Sequence, residues 1–252
     1  MIKVRVIPTL LYKNYTLVKG IKFDSWRRVG SLIQAIKVYN LREVDELVFF
    51  DISATEEGRS PDFNLVDDFA DECFMPLTVG GGIKTTEDIR RLLLSGADKV
   101  VINTAAVLNP MFIKEAAGKF GSQCIMVAID VKKKSNNEHE VFINSGKKAT
   151  GIDPFVFAKE AERLGAGEIL ITSIDNDGTM LGYDIELTKK ISQSVQVPVI
   201  ASGGAGSFKD VLDVLQEGKA SSIAASSIFH FTEITPLEVK HFLKENGIQV
   251  RI

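Results

Sequence analysis

The feature that most constrains the fold of this chain is an internal repeat. The stretch MPLTVGGGIKTTEDIRRLLLSGADKVVINTAAVLNP, Met75 to Pro110, returns in degraded form as VPVIASGGAGSFKDVLDVLQEGKASSIAASSIFH, Val197 to His230. Pro76 corresponds to Pro198, Gly81 and Gly82 to Gly203 and Gly204, and Asn103-Thr104 to Ala225-Ser226, always 122 residues on in a chain of 252. Each copy reads strand, glycine turn, helix, strand, small-residue turn. A unit of half a chain repeated once describes two similar half-structures, about 1–122 and 123–252, closing on each other.

The copies carry their chemistry in their turns. Val-Gly-Gly-Gly-Ile and Ala-Ser-Gly-Gly-Ala each follow an apolar run and precede an amphipathic helix, an arrangement that points backbone N–H groups at a helix N-terminus and makes an anion site without a basic side chain. Glycines of this kind also serve plain tight turns. Two related copies, each paired with a polar strand end at Asn103-Thr104 and Ser226-Ser227, favour two phosphate sites.

Apolar runs alternate with helical spacing along the chain. Strands are expected at Val4 to Leu11, Glu46 to Asp51, up to Val79, Lys99 to Asn103, Ile125 to Asp130 and Glu168 to Ser173, with the second glycine copy supplying the last two. Helices are expected at Leu32 to Asn40, Asn64 to Cys73, from a cap at Thr85 or Thr86 to Ser95, after Pro110, over 154–164, near 184–194, and from Pro236 to Asn246, with a short turn at Phe229 to Phe231. Tyr12 to Phe23 reads as a hairpin opening a long polar loop that holds Trp26-Arg27-Arg28, and a charged hairpin with turn signals at Ser135-Asn136-Asn137 mirrors it after the fifth strand. Eight strands alternating with helices and no linker predict a single (β/α)8 TIM barrel of the α/β class, its polar strand ends gathered on the C-terminal face.

Composition excludes several functions. Net charge is −3 with no basic block, which argues against a nucleic-acid surface, and no apolar run approaches membrane-spanning length. The two cysteines, Cys73 and Cys124, lack metal-ligand spacing, and His139, His230 and His241 form no metal constellation, so no metal or other cofactor is expected. Met1 leads directly into a strand pattern, and the expectation is a cytoplasmic protein.

The chain resembles a known family over nearly its whole length: the cyclase subunit of imidazole glycerol phosphate synthase, the HisF-type barrel of histidine biosynthesis. The resemblance lies in VKG (18–20), DELVFFDI (45–52), VGGGI (79–83), GADKVVINTAA (96–106), FGSQ and VAID (120–130), GAGEILITSIDNDGT (165–179), ASGGAG (201–206) and FHF (229–231). It implies a general acid and base at the ends of the first and fifth strands and a two-phosphate substrate across the mouth. Asp130 matches the fifth-strand member. Leu11 stands where the first-strand acid belongs, and no carboxylate occurs anywhere between Met1 and Phe23. Leucine moves no proton, so paired acid–base cyclisation loses one partner.

By the same resemblance, Lys19, Asp51, Gly81, Gly82, Asn103, Thr104, Asp177, Gly178, Gly203, Gly204, Ala225 and Ser226 are implied substrate and phosphate ligands. Arg5, Glu46, Lys99 and Glu168 match a charged ring through which ammonia enters the barrel from a HisH-type glutaminase, and Asp98, Phe120 and Gln123 match positions contacting that partner. A structural ion cluster is the competing reading of the ring, plain surface that of Lys19, and an exposed polar loop that of Trp26-Arg27-Arg28. The pattern as a whole looks like a divergent HisF-like branch, serving acetamidino modification of surface-polysaccharide sugars beside a sugar amidotransferase that acts on a nucleotide-linked amino sugar. The alternatives are a genuine cyclase of histidine biosynthesis and a non-catalytic scaffold that docks and activates a glutaminase.

Overall fold

The computed structural model describes residues 3–135 and 138–252, so the Asn136-Asn137 turn signal lies outside the described residues. The first half runs β1 (Val6–Lys13), β2 (Thr16–Ile21), β3 (Asp24–Gly30), α1 (Leu32–Leu41), β4 (Leu47–Asp51), α2 (Phe63–Ala70), β5 (Leu77–Gly80), α3 (Thr86–Leu94), β6 (Lys99–Ile102), α4 (Thr104–Leu108) and α5 (Met111–Phe120). The second half runs β7 (Ile125–Lys133), β8 (His139–Ile143), β9 (Lys148–Ala149), α6 (Pro154–Arg163), β10 (Glu168–Ser173), α7 (Ile185–Ser194), β11 (Val199–Ser202), α8 (Phe208–Gln216), β12 (Ser222–Ala225), α9 (Ser227–Phe231) and α10 (Pro236–Glu245).

Strands β1, β4, β5, β6, β7, β10, β11 and β12 pair in parallel in that order, and β12 returns to β1 through Val6 opposite Ile223, closing an eight-stranded (β/α)8 barrel. The near-continuous apolar strands follow from burial on both faces. One row, Ile7, Val48, Val101, Met126, Ala128, Leu170, Ile200 and Ala224, fills the barrel interior as a layer of its own, while the opposite row packs under the helices.

The repeat extends to the helix caps. Asp62 accepts from the Leu65 amide at the start of α2 and Asp184 from the Leu187 amide at the start of α7, 122 residues apart. Thr85 with Asp88 and Ser207 with Asp210 form matching capping boxes on α3 and α8, each satisfying otherwise orphaned N–H groups for about 1 kcal/mol.

Both first strands outgrow the barrel and turn back above its C-terminal face, β1 into β2 and β7 into β8. Asn14 and Tyr15, at φ 49° and 62°, make the tight turn between β1 and β2. The polar segment expected as a loop is instead strand β3, paired antiparallel to β2 with Lys19 opposite Arg27. It has no alternating apolar pattern because most of its side chains are exposed; its ladder with β2, the Trp26 ring packed on Gly20 and the Arg27 guanidinium 4.5 Å from the Phe231 ring hold it.

Candidate active site

Strand register shows what Leu11 replaces. Leu11 pairs with Phe50 on β4, and Asp130 pairs with Thr172 on β10; Phe50 and Thr172 are themselves 122 residues apart. Leu11 and Asp130 are therefore equivalent positions on the two half-barrels, one aliphatic and one acidic.

Both line a cavity open to solvent at the C-terminal face. Gly81, Gly82, Asn103 and Thr104 border it on one side, and a second, smaller lobe is bordered by Gly178, Gly203, Gly204, Ala225, Ser226 and Ser227. Thr9, Lys19, Asp177 and Ser202 line both. Only glycine fits two of the turn positions. Gly81 and Gly204 sit at φ +109° and +113°, where a Cβ would collide with the carbonyls of Asp51 and Gly182. In the second lobe the buried Ser226 and Ser227 hydroxyls have no partner among the described residues, an expensive state unless a ligand or solvent satisfies them. In the first, the Gly82 amide makes only a long 3.3 Å contact to the Thr55 hydroxyl, while Thr104 Oγ1 accepts from the Asn144 amide at 3.1 Å.

The mouth carboxylates differ in circumstance. Asp51 is neutralised by Arg59, Nη1 to Oδ2 at 2.6 Å and Nη2 to Oδ1 at 2.9 Å, and also accepts from the Ser53 and Ala54 amides. Asp177 is neutralised by Lys19, whose Nζ sits 2.8 and 2.7 Å from its two oxygens. Lys19 is thus no loop lysine: it lies in β2 with 2 % exposure, because the hairpin folds across the mouth and brings it to a carboxylate. Asp175 points elsewhere, accepting from the Lys133 amide at 2.8 Å.

Among the described residues no cation pairs with Asp130. The Asn103 amide donates to it at 3.2 Å, but burial, with the negative charge of Asp177 adding to it and a hydrogen bond with Thr172 opposing, lifts its carboxyl to about 7. A group titrating there can exchange a proton near neutrality. Partial burial, with the nearby Lys19 ammonium adding to it, holds the half-buried His230 down at about 4, so it stays neutral.

At the opposite end, four charges close a ring. Arg5 Nη1 lies 2.6 Å from Glu46 and 3.0 Å from Glu168, and Lys99 Nζ lies 3.1 Å from Glu46 and 3.2 Å from Glu168. Glu46, 1 % exposed, also accepts from the Thr78 hydroxyl at 2.7 Å, and Arg5 Nε donates to Ser222 at 3.3 Å. The ring is the lowest layer of the interior rather than an appendage outside it. Lys99 and Glu168 stand two residues below Val101 and Leu170, which belong to the inner apolar layer and also line the mouth cavity, so one apolar layer separates ring from cavity.

Residues 5–235 match the family model described as histidine biosynthesis protein. The chain belongs to that family. The histidine biosynthesis family comprises isomerases and cyclases, and the closed barrel with chemistry at its mouth accords with that.

Within this histidine biosynthesis family barrel, the implied ligands Lys19, Asp51, Gly81, Gly82, Asn103, Thr104 and Asp177 meet around one cavity with Asp130, the expected acid–base member, and Gly178, Gly203, Gly204, Ala225 and Ser226 around its second lobe. Asp98 and Gln123 are exposed and Phe120 half-buried beside the strand starts, at the end that carries the ring. Sequence reading missed Arg59 as the partner of Asp51, and Thr172 and Ser202 as lining residues. Among the described residues no cluster of His, Cys, Asp and Glu could hold a metal, and no helix is long and apolar enough to cross a membrane.

Two occupied lobes are the expected result of growing crystals in phosphate or sulfate: density beside Gly82 and Thr104, and a second feature at Gly204 and Ser226. An empty mouth at high anion concentration counts against phosphate recognition.

Proposed function

We propose that this chain is the synthase subunit of a glutamine-dependent amidating complex. Ammonia released by a HisH-type glutaminase docked at the N-terminal face passes the charged ring and reaches a phosphorylated ligand at the mouth. The observation that carries this reading is the closed ring of Arg5, Glu46, Lys99 and Glu168, set one apolar layer beneath the cavity floor. Four charges there must give up much of their hydration, a costly arrangement that apolar packing could replace if sealing the barrel were its only task. Large apolar side chains stand exposed around the same end: Leu41 closing α1, Phe74 before β5 and Leu94 closing α3. Such residues on consecutive βα units supply the apolar part of a protein interface.

The acceptor in this reading is a surface-polysaccharide amino sugar, nucleotide-linked and handled with a sugar amidotransferase as third component, and Leu11 is the reason to prefer it over histidine-pathway cyclisation. A genuine cyclase remains the second reading, favoured by Asp130, a mouth carboxyl near 7. A scaffold that only activates a glutaminase has no use for the open cavity or for the unpartnered Ser226 and Ser227 hydroxyls.

The test is the ratio of glutamate released to amidated product in the complex reconstituted with its glutaminase. Lys99→Ala is expected to leave the barrel folded at a cost of about 1–3 kcal/mol, because Glu46 keeps Arg5 and Thr78, and to raise that ratio. A stability loss with an unchanged ratio reduces the ring to a structural cluster.

A further inference from the structure

Strand β3 is paired on one side only. Its ladder runs to β2, and among the described residues no strand or backbone hydrogen bond takes up its other side. The seven residues Asp24–Gly30, without a proline, form an edge of ordinary strand length that presents a row of free N–H and C=O groups. The edge stands on a fixed base, because Lys19 binds Asp177 and the Lys22 amide donates to the Asp177 carbonyl at 2.8 Å. It also borders the mouth, where Trp26 joins Leu11, Phe50 and Phe23 in an apolar wall of the cavity.

Charge decides what can pair there. Positions 13–28 hold five cations, Lys13, Lys19, Lys22, Arg27 and Arg28, against one carboxylate, Asp24, in a chain of net charge −3. Lys19 is taken by Asp177, whereas Lys13 lies over the Trp26 ring and Arg27 over the Phe231 ring. Among the described residues none of Lys13, Lys22, Arg27 and Arg28 has a carboxylate partner. A second copy of this chain would bring its own Arg27 and Arg28 against these, and like charges facing each other across a ladder repel. An acidic strand meets opposite charge instead. The exposed Ile21, paired with Asp24, and Phe231, beside Arg27, offer contact to its apolar side chains. Nucleic acid or an anionic lipid surface could use the charges but not the open row of backbone groups.

We infer that β3 is a docking edge for an extended acidic segment of a partner protein, which adds as a further strand to the hairpin above the mouth. Such docking holds whatever reaction the barrel performs.

The probe is a short synthetic peptide alternating Glu with Val, its ends blocked, titrated into the full chain. Trp26 is the single tryptophan, so its emission reports on β3 itself. Saturable binding is expected, with slowed amide exchange over 24–30. Arg27→Ser combined with Arg28→Ser should weaken it about tenfold, the scale of two cross-strand charge pairs. The fully N-methylated peptide keeps its charge but donates no backbone hydrogen bond, and should bind at least about tenfold more weakly. Failure of the Glu–Val peptide to bind overturns the inference. Equal affinity for the N-methylated form also overturns it, leaving attraction by charge alone, and equal affinity for a Lys–Val peptide overturns the acidic partner. Arg27 and Arg28 are exposed; should their double variant fail to fold, added salt acting on the unaltered chain serves in its place. Affinity is then expected to fall with salt, and a salt-independent affinity overturns the role of charge.

Discussion

Supplied with ammonium salt and the substrate of the histidine-pathway cyclase, the purified chain is expected to turn over about 10²–10⁴-fold more slowly than a barrel with both proton-transfer groups, the usual contribution of one such group. Leu11 occupies the register position equivalent to Asp130, and no nearby carboxylate substitutes for it: Asp51 is committed to Arg59 and Asp177 to Lys19. What remains should follow Asp130. Its carboxyl titrates at about 7, so if it serves as the base the residual rate is low below that pH and rises through it, and Asp130→Asn removes it. Leu11→Asp should recover only a little, because Phe50, Phe23 and Trp26 leave the new carboxylate without a polar neighbour on that wall. A pH–rate profile with ammonium salt checks all three. Robust turnover by the unaltered chain overturns the argument from Leu11.

The second large effect is expected at Asp177. Among the described residues its carboxylate is the one ion partner of a Lys19 ammonium that is 2 % exposed, so Asp177→Ala strands a buried cation and should cost about 3–5 kcal/mol in denaturant unfolding. Lys19→Met combined with Asp177→Leu should regain much of this, since two apolar groups need no partner. Hydrogen exchange should report faster opening of β2 and β3 in the single variant, because the Asp177 backbone also receives the Lys22 amide. Asp177 contributes to the raised Asp130 carboxyl, so the same substitution should lower the pH at which Asp130 titrates. A loss below about 1 kcal/mol, with β2 and β3 exchanging as before, would show that the pair is solvated and does not hold the hairpin.

Much of the frame was legible in the sequence because its signals are local or periodic. Apolar runs of strand length, Thr85 and Ser207 before their helices, and paired glycines 122 residues apart specify strand, cap and turn from neighbouring residues, and their order specifies the barrel. Asp130 and the absent acid at position 11 were visible too, through the resemblance to the HisF-type barrel and the repeat of the two halves. Strand β3 was not, because a strand whose side chains face water carries no period.

What only the tertiary structure decided is the pairing of charges and their environment. Lys19 finds Asp177 across 158 positions of sequence, and Glu168 finds Arg5 across 163, contacts that no local pattern encodes. The value of about 7 at Asp130 depends on burial and on the Asp177 charge, both set by which segments close over the mouth. The apolar wall likewise joins Leu11 and Phe50 from two barrel strands to Phe23 and Trp26 from the hairpin. A sequence specifies which groups are present and which way a strand or helix turns them. Desolvation and Coulomb interaction depend on distance in space, and that is fixed only when the barrel closes.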